Sequence, residues 1–173
     1  MPPEAGLPGA LIPDWRVGPQ VGALMSTRAG GVSAGAFDSL NLGRSAGDEP
    51  ASIDENRRRF AAALGARPVW MSQVHGKRVL RLPVDAGLAS SSADAAITTE
   101  PGTACTVMVA DCLPVLFAAP GGRGVGAAHA GWRGLASGVL EATVTALCEA
   151  AACAPSELQV WLGPCIGPRQ FEV

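Results

Sequence analysis

Four apolar runs of strand length, Ala93–Thr98, Cys105–Ala110, Val115–Ala119 and Gly124–Ala128, succeed one another with only short breaks, and several are continuous rather than alternating. A strand with one wet face alternates, whereas one covered on both faces reads as an unbroken apolar stretch, so these runs call for a layered α/β fold. Residues Gly134–Ala152 then read as one long helix that buries Leu135, Val139, Ala142 or Thr143, and Ala146 or Leu147, with Pro155 marking its end. Leu158–Leu162 reads as a last strand. Upstream, Val21–Thr27 suits a short strand, and Val69–Val74 and Lys77–Leu82 suit strands on either side of a His75-Gly76 break. Ser52–Leu64 reads as a helix with a capping box between Ser52 and Glu55 and a left-handed Gly65 after its last turn. The fold class expected is α/β in the broad sense that includes α+β, with mixed sheets.

With 173 residues, 48% of them hydrophobic, the chain is ample for one core and short for two. Residues 1–20, rich in Pro and Gly at their start, are expected to lead in loosely, and 21–173 to form a single catalytic domain. The net charge of −2, without basic residues interleaved with aromatics, argues against a nucleic-acid partner. Arg57-Arg58-Arg59 reads as the solvated face of a helix. Neither a signal-type h-region nor a run of membrane-spanning length is present, so a soluble cytoplasmic protein without membrane partners is expected. Five cysteines, spread without a CxxC, fit a reducing compartment rather than a disulfide framework. Gly122-Arg123-Gly124-Val125-Gly126 imitates a dinucleotide fingerprint, but the residues after it read as a strand rather than a helix, which makes it a hairpin turn. Gly76-Lys77 lacks the rest of a phosphate-cradling loop, no G-x-S-x-G elbow exists, and Ser90-Ser91-Ser92 is a loop.

The chemistry concentrates in three short motifs: Gln73-Val74-His75-Gly76, Ala110-Asp111-Cys112-Leu113-Pro114 and Ala128-His129-Ala130-Gly131-Trp132-Arg133-Gly134. They hold the only two histidines of the chain and one of its cysteines, all where strands end and loops gather. Two imidazoles and a thiolate make three ligands for a tetrahedral Zn²⁺ with its fourth position open, the arrangement of a catalytic metal. Each residue also has a plainer reading: a turn histidine, a buried small thiol, a strand-end histidine bonded to backbone. Cys105, Cys148 and Cys153 read as apolar packing residues, and Cys165, between two Gly-Pro pairs, sits in a rigid loop able to face the site.

These motifs, with Ser26-Thr27-Arg28-Ala29-Gly30-Gly31-Val32-Ser33, Ser39-Leu40-Asn41-Leu42-Gly43, Asn56-Arg57, Ala93-Asp94-Ala95 and Leu162-Gly163-Pro164 through Phe171-Glu172-Val173, resemble the bacterial laccase-domain or polyphenol oxidoreductase family. The resemblance runs from about residue 21 to the last residue. It implies zinc held by His75, Cys112 and His129 and an α/β/β/α sandwich. It further implies phosphorolysis of adenosine, inosine and methylthioadenosine, together with adenosine deamination. Family members continue past the Phe-Glu-Val position, so the chain is expected to be C-terminally truncated.

The laccase label meets an obstacle in the chain itself, because a blue-copper centre plus an oxygen-reducing cluster needs more than two histidines. Polyphenol oxidation would have to use a single copper in the same pocket, which the affinity order allows. For the deaminase reaction, Asp111 or Asp94 is the candidate proton shuttle. For phosphorolysis a cationic clamp is required; Arg28 beside Gly30-Gly31 is the first candidate, with Arg44 and Arg133 next. Asn41 is a candidate to bond a ribose hydroxyl or the base, and Trp132 either stacks on the purine or packs in the core. Two other readings stay open: a metal-independent cysteine hydrolase using Cys112 with His129 or His75, and a binding module without turnover.

Overall fold

A computed structural model describes residues 6–83 and 92–172, so the loop reading of Ser90-Ser91 lies outside the described residues. The chain divides into two compact units, Met1–Asp14 with Gly22–Arg67, and Trp15–Val21 with Pro68–Val173.

The first unit is organised by one helix, α1 (Pro50–Leu64). It starts two residues earlier than the capping-box pattern predicts, because Pro50 at the first helical position brings a φ already suited to a helix and Glu49 serves as N-cap. Glu55 does not reach back to Ser52; its carboxylate is taken by Arg58 (2.8 and 2.9 Å) and Arg59 (2.8 Å) at helical spacings i+3 and i+4. These bonds, led by the one from Arg58, hold the Glu55 carboxyl down at about 2. The C-terminus is as the sequence predicts, with Gly65 at φ 67 closing on Ala61 O. Of the arginine run, only Arg58 is a solvated residue. Arg57 Nε donates to Leu42 O (2.9 Å) and Arg59 Nη1 to Gly30 O (3.0 Å), bracing two loops. The stretch predicted as a strand from Val21 makes a single antiparallel bridge, Met25 with Leu11.

Asn56, fully buried on α1, is the hub of this unit. Its Oδ1 accepts from the Val32 amide (2.8 Å), while Nδ2 donates to Ser33 Oγ (2.8 Å), Asn41 O (2.9 Å) and Ser39 O (3.2 Å). The loop so gathered is tight: a Cβ on Gly31 would lie 1.9 Å from Ser39 O, so only glycine fits.

The second unit carries the sheets. Strands β1 (Arg67–Val69) and β4 (Thr103–Cys105) form a two-stranded sheet, and a mixed five-stranded sheet runs β2–β3–β6–β5–β7, formed by β2 (Val79–Leu82), β3 (Ala95–Thr98), β5 (Leu113–Ala118), β6 (Val125–Ala130) and β7 (Gln159–Leu162). Within the five-stranded sheet β2 and β3 pair in parallel and the other neighbours antiparallel. β5 and β6 form a hairpin whose turn holds Gly121 and Gly122 at φ 64 and 68, in agreement with the hairpin reading of the glycine-rich stretch. The strands predicted over Val69–Val74 and Cys105–Ala110 are displaced: β1 ends at Val69 and β4 at Cys105, so only the first residue of each predicted run lies in a strand. Beyond β4, Gln73 replaces a strand neighbour, its side chain bonding both the amide and the carbonyl of Met108 at 2.7 Å. The bridge Ser72–Ser92 is all that continues beyond β1.

The long helix predicted for 134–152 is two helices, α2 (Trp132–Ser137) and α3 (Val139–Ala151), separated by Gly138 at φ 90. That left-handed residue resets the axis, so α3 buries Val139, Thr143, Leu147 and Ala151 while Leu135 of α2 stays exposed. On one face of the five-stranded sheet, α3 packs with Ala95, Ile97, Val115, Phe117, Ala128 and Ala130. On the other, Leu80, Leu82 and Ala96 pack with Val69, Met71 and Ala93. This alternation along β3 is the doubly covered strand the unbroken apolar runs predict.

Replacing Asn56 with Ala removes four hydrogen bonds and strands buried partners; the expected cost is ~3 kcal/mol of stability. Urea denaturation followed by circular dichroism measures it. Asn56→Asp is expected to be no rescue, since Nδ2 faces two carbonyl oxygens that a carboxylate would repel.

Candidate metal centre

Strand register brings the candidate ligands together. In the β3–β6 ladder Ala95 faces Ala128, which puts Asp94 opposite His129, and the His129 amide donates to Asp94 O at 2.7 Å. In the β5–β6 ladder Leu113 faces Ala130, which puts Cys112 opposite Gly131. A Cβ at Gly131 would lie 2.7 Å from Cys112 Sγ and 3.0 Å from His75 Cδ2, so the missing side chain is what lets the thiol and the imidazole approach.

His75 arrives by a turn rather than a strand. Its φ of 60 is left-handed, a conformation costly for a residue with a Cβ. What holds it is Asp94: the carboxylate accepts from the amides of Gly76 (2.7 Å), His75 (2.8 Å) and Val74 (3.2 Å), three consecutive donors folded round one anion. The same carboxylate accepts from His129 Nδ1 at 2.8 Å, which fixes the tautomer and leaves Nε2 as the ring's free lone pair. Asp94 is fully buried. Burial opposes its ionisation, but the bonds from His129 and the three amides prevail and hold the carboxyl below its ordinary range.

The donor atoms of His75, Cys112 and His129 lie within 4.8 Å of one another, and the two rings meet edge to face with centroids 4.7 Å apart. Burial is graded: His129 is buried, Cys112 half-buried and His75 exposed, so the cluster has one open side. Burial and the charges of Asp111, Asp94 and Cys165 all push the Cys112 thiol up, so a free thiol here resists ionisation. A cation bound between it and two neutral imidazoles would reverse that balance. Two nitrogens and one sulfur, a cradle cleared by glycine, and a carboxylate behind one imidazole fit a zinc-type site with a vacant position.

The other candidates take varied positions. Asp111, beside Cys112, is exposed and its carbonyl accepts from the Ile166 amide at 2.9 Å. Trp132 is half exposed, not a core residue, with the Arg133 guanidinium 5.2 Å from its ring centroid. Arg28, Asn41 and Arg44 belong to the first unit. There Arg28 Nε donates to Asp38 O (2.6 Å), Asn41 Nδ2 to Asp48 Oδ2 (3.1 Å), and Arg44 pairs with Asp54. The Gly31 amide donates to Ser39 Oγ (3.1 Å). Gln73 and Gly131 lie inside the ligand motifs, yet nothing in the sequence separates their roles from those of the neighbouring motif residues.

The family model described as multi-copper polyphenol oxidoreductase laccase matches residues 22–173. The chain belongs to this family. Over 165 residues it is 52% identical to the purine nucleoside phosphorylase YfiH of Escherichia coli, covering 94% of this chain and 66% of that protein. Over 163 residues it is 53% identical to a purine nucleoside phosphorylase of Pseudomonas aeruginosa, covering 94% and 64%. The crystal structure of the Neisseria meningitidis protein NMB0706 superposes with a TM-score of 0.86 at 42% identity, covering 95% of this chain and 66% of that one. The chain thus spans about two thirds of the length of these family relatives. Among the described residues, no helix is long and apolar enough to cross a membrane.

Asp94→Asn keeps the shape but loses the anion that orients His129 and the His75 turn. The expected result is about 10–100-fold weaker binding of a divalent transition metal, measured by competition with a chromophoric chelator.

Proposed function

We propose that this family member acts on purine nucleosides, cleaving the glycosidic bond of adenosine, inosine or methylthioadenosine with phosphate to give the base and ribose 1-phosphate, or 5-methylthioribose 1-phosphate from methylthioadenosine. On the same reading it deaminates adenosine. The observation that carries it is the convergence of His75, Cys112 and His129 on one open-sided point. The names of the relatives from Escherichia coli and Pseudomonas aeruginosa support the substrate class.

Zinc is the metal that this donor set suits, with copper the alternative at the same ligands. Held by His75, Cys112 and His129, such an ion would supply Lewis acidity to an oxygen of the substrate or of water. The chain's own residues do the rest. Asp94 holds His129 and the His75 turn in place, and with both oxygens engaged it acts as a positioning residue. Asp111, exposed beside the thiolate, is the proton carrier. Trp132, open on one face and flanked by Arg133, offers a stacking surface for the base. Arg133, next to Trp132 and in the same unit as the ligands, supplies positive charge for phosphate.

Incubating the purified chain with inosine and phosphate is expected to release hypoxanthine, to stop doing so after chelation and to resume with Zn²⁺. Activity that survives chelation but not alkylation would mean a cysteine hydrolase at Cys112. Zinc binding without hypoxanthine would mean a binding module. Trp132→Ala is expected to raise KM about tenfold, in line with the ~1–3 kcal/mol of a base–aromatic stack, with little change in metal content.

A further inference from the structure

A second pair of reactive side chains lies away from the metal ligands, at the end of α3. The helix closes with Ala152 in the left-handed conformation at φ 50, and the amides of Ala152 and Cys153 both return to the carbonyl of Cys148, the latter at 3.1 Å. This cap folds the chain back so that the side chain just past the helix meets the one on its last full turn. Here both are cysteines, and their sulfurs stand 4.0 Å apart. Arg123 Nη1 donates to Ala152 O at 2.9 Å and fixes the cap from outside. Neither thiol is fully buried, so a small oxidant can reach both.

We propose that Cys148 and Cys153 form a reversible disulfide on exposure to a peroxide, making the end of α3 a redox modification site. Cys153 sulfur attacks the peroxide, the O–O bond breaks, and a sulfenic acid and one water result. Cys148 sulfur then attacks that sulfur, the S–O bond breaks, and the departing hydroxide takes the Cys148 proton as a second water. Overall two thiols are oxidised and one peroxide is reduced to two waters. Burial and contact with Cys153 hold the Cys148 thiol up, consistent with its role as the resolving partner. Reduction by a dithiol restores the pair.

The glutamates make the test direct, since cleavage after Glu141, Glu149 and Glu157 separates the two cysteines into fragments 142–149 and 150–157. The full chain is treated with hydrogen peroxide, alkylated, cut at glutamate and weighed by mass spectrometry. The expected product is the two fragments joined, lighter than their sum by two hydrogens, split by dithiothreitol and lost in Cys153→Ser. Free thiols or sulfinic acids alone in these fragments would overturn the proposal. So would a disulfide joining either fragment to the peptides that hold Cys112 or Cys165.

Discussion

One buried carboxylate organises the candidate metal centre. Asp94 binds the ring of His129 through Oδ1, while its two oxygens together gather the amides of Val74, His75 and Gly76. A carboxylate with no exposure to water is costly unless every lone pair is satisfied, and here four donors satisfy it. Remove the anion and two things fail together: the tautomer of one ligand and the left-handed turn that carries another. Because Asp94 precedes β3 and His129 lies within β6, their meeting depends on ladder register, and a slip by one residue would turn both away.

The third ligand depends on the same ladder system from the other side. β6 is flanked by β3 and β5, so one strand aligns Asp94 with His129 and Cys112 with Gly131 at once. The site is therefore assembled at the ends of the central strands, with Asp94 and Cys112 just before β3 and β5 and His129 near the end of β6. Only His75 comes from outside that ladder, and it is also the exposed ligand. Gln73, two residues before it, is tied to the backbone of Met108, which links the approach to His75 with the stretch leading into Cys112.

Much of this was legible in the sequence. Unbroken apolar runs gave away strands covered on both faces, and the two histidines with Cys112 stood out because they sit in short motifs at the ends of those runs. What could not be read had specific causes. Ser52 and Glu55 match a capping box, but two arginines compete for the glutamate and Pro50 starts the helix first. Gly138 is one glycine in a helical pattern, and nothing local shows that it turns left-handed and sends α3 over the sheet while α2 stays wet. Asn56 looks like any polar helix residue until the loop it holds is folded. Asp94 stood out as a candidate proton shuttle, but its hold on His129, like that of Gln73 on Met108, spans 35 positions of the chain, beyond the reach of any local pattern.

The strands that carry the site are lined with alanine. Ala95, Ala96, Ala127 and Ala128 are all fully buried, and a Cβ on Gly126 beside them would come within 3.1 Å of Ile97. Such small side chains let the layers above and below settle close to the backbones of β3 and β6, in an interior already packed as densely as a crystal. An extra methyl group there has nowhere to go except into the strands themselves, displacing the carboxylate and the imidazole they present. Change is thus easier at the outer rim, where Trp132 and His75 face solvent, than on the inner strands, which must stay small to present that carboxylate and imidazole.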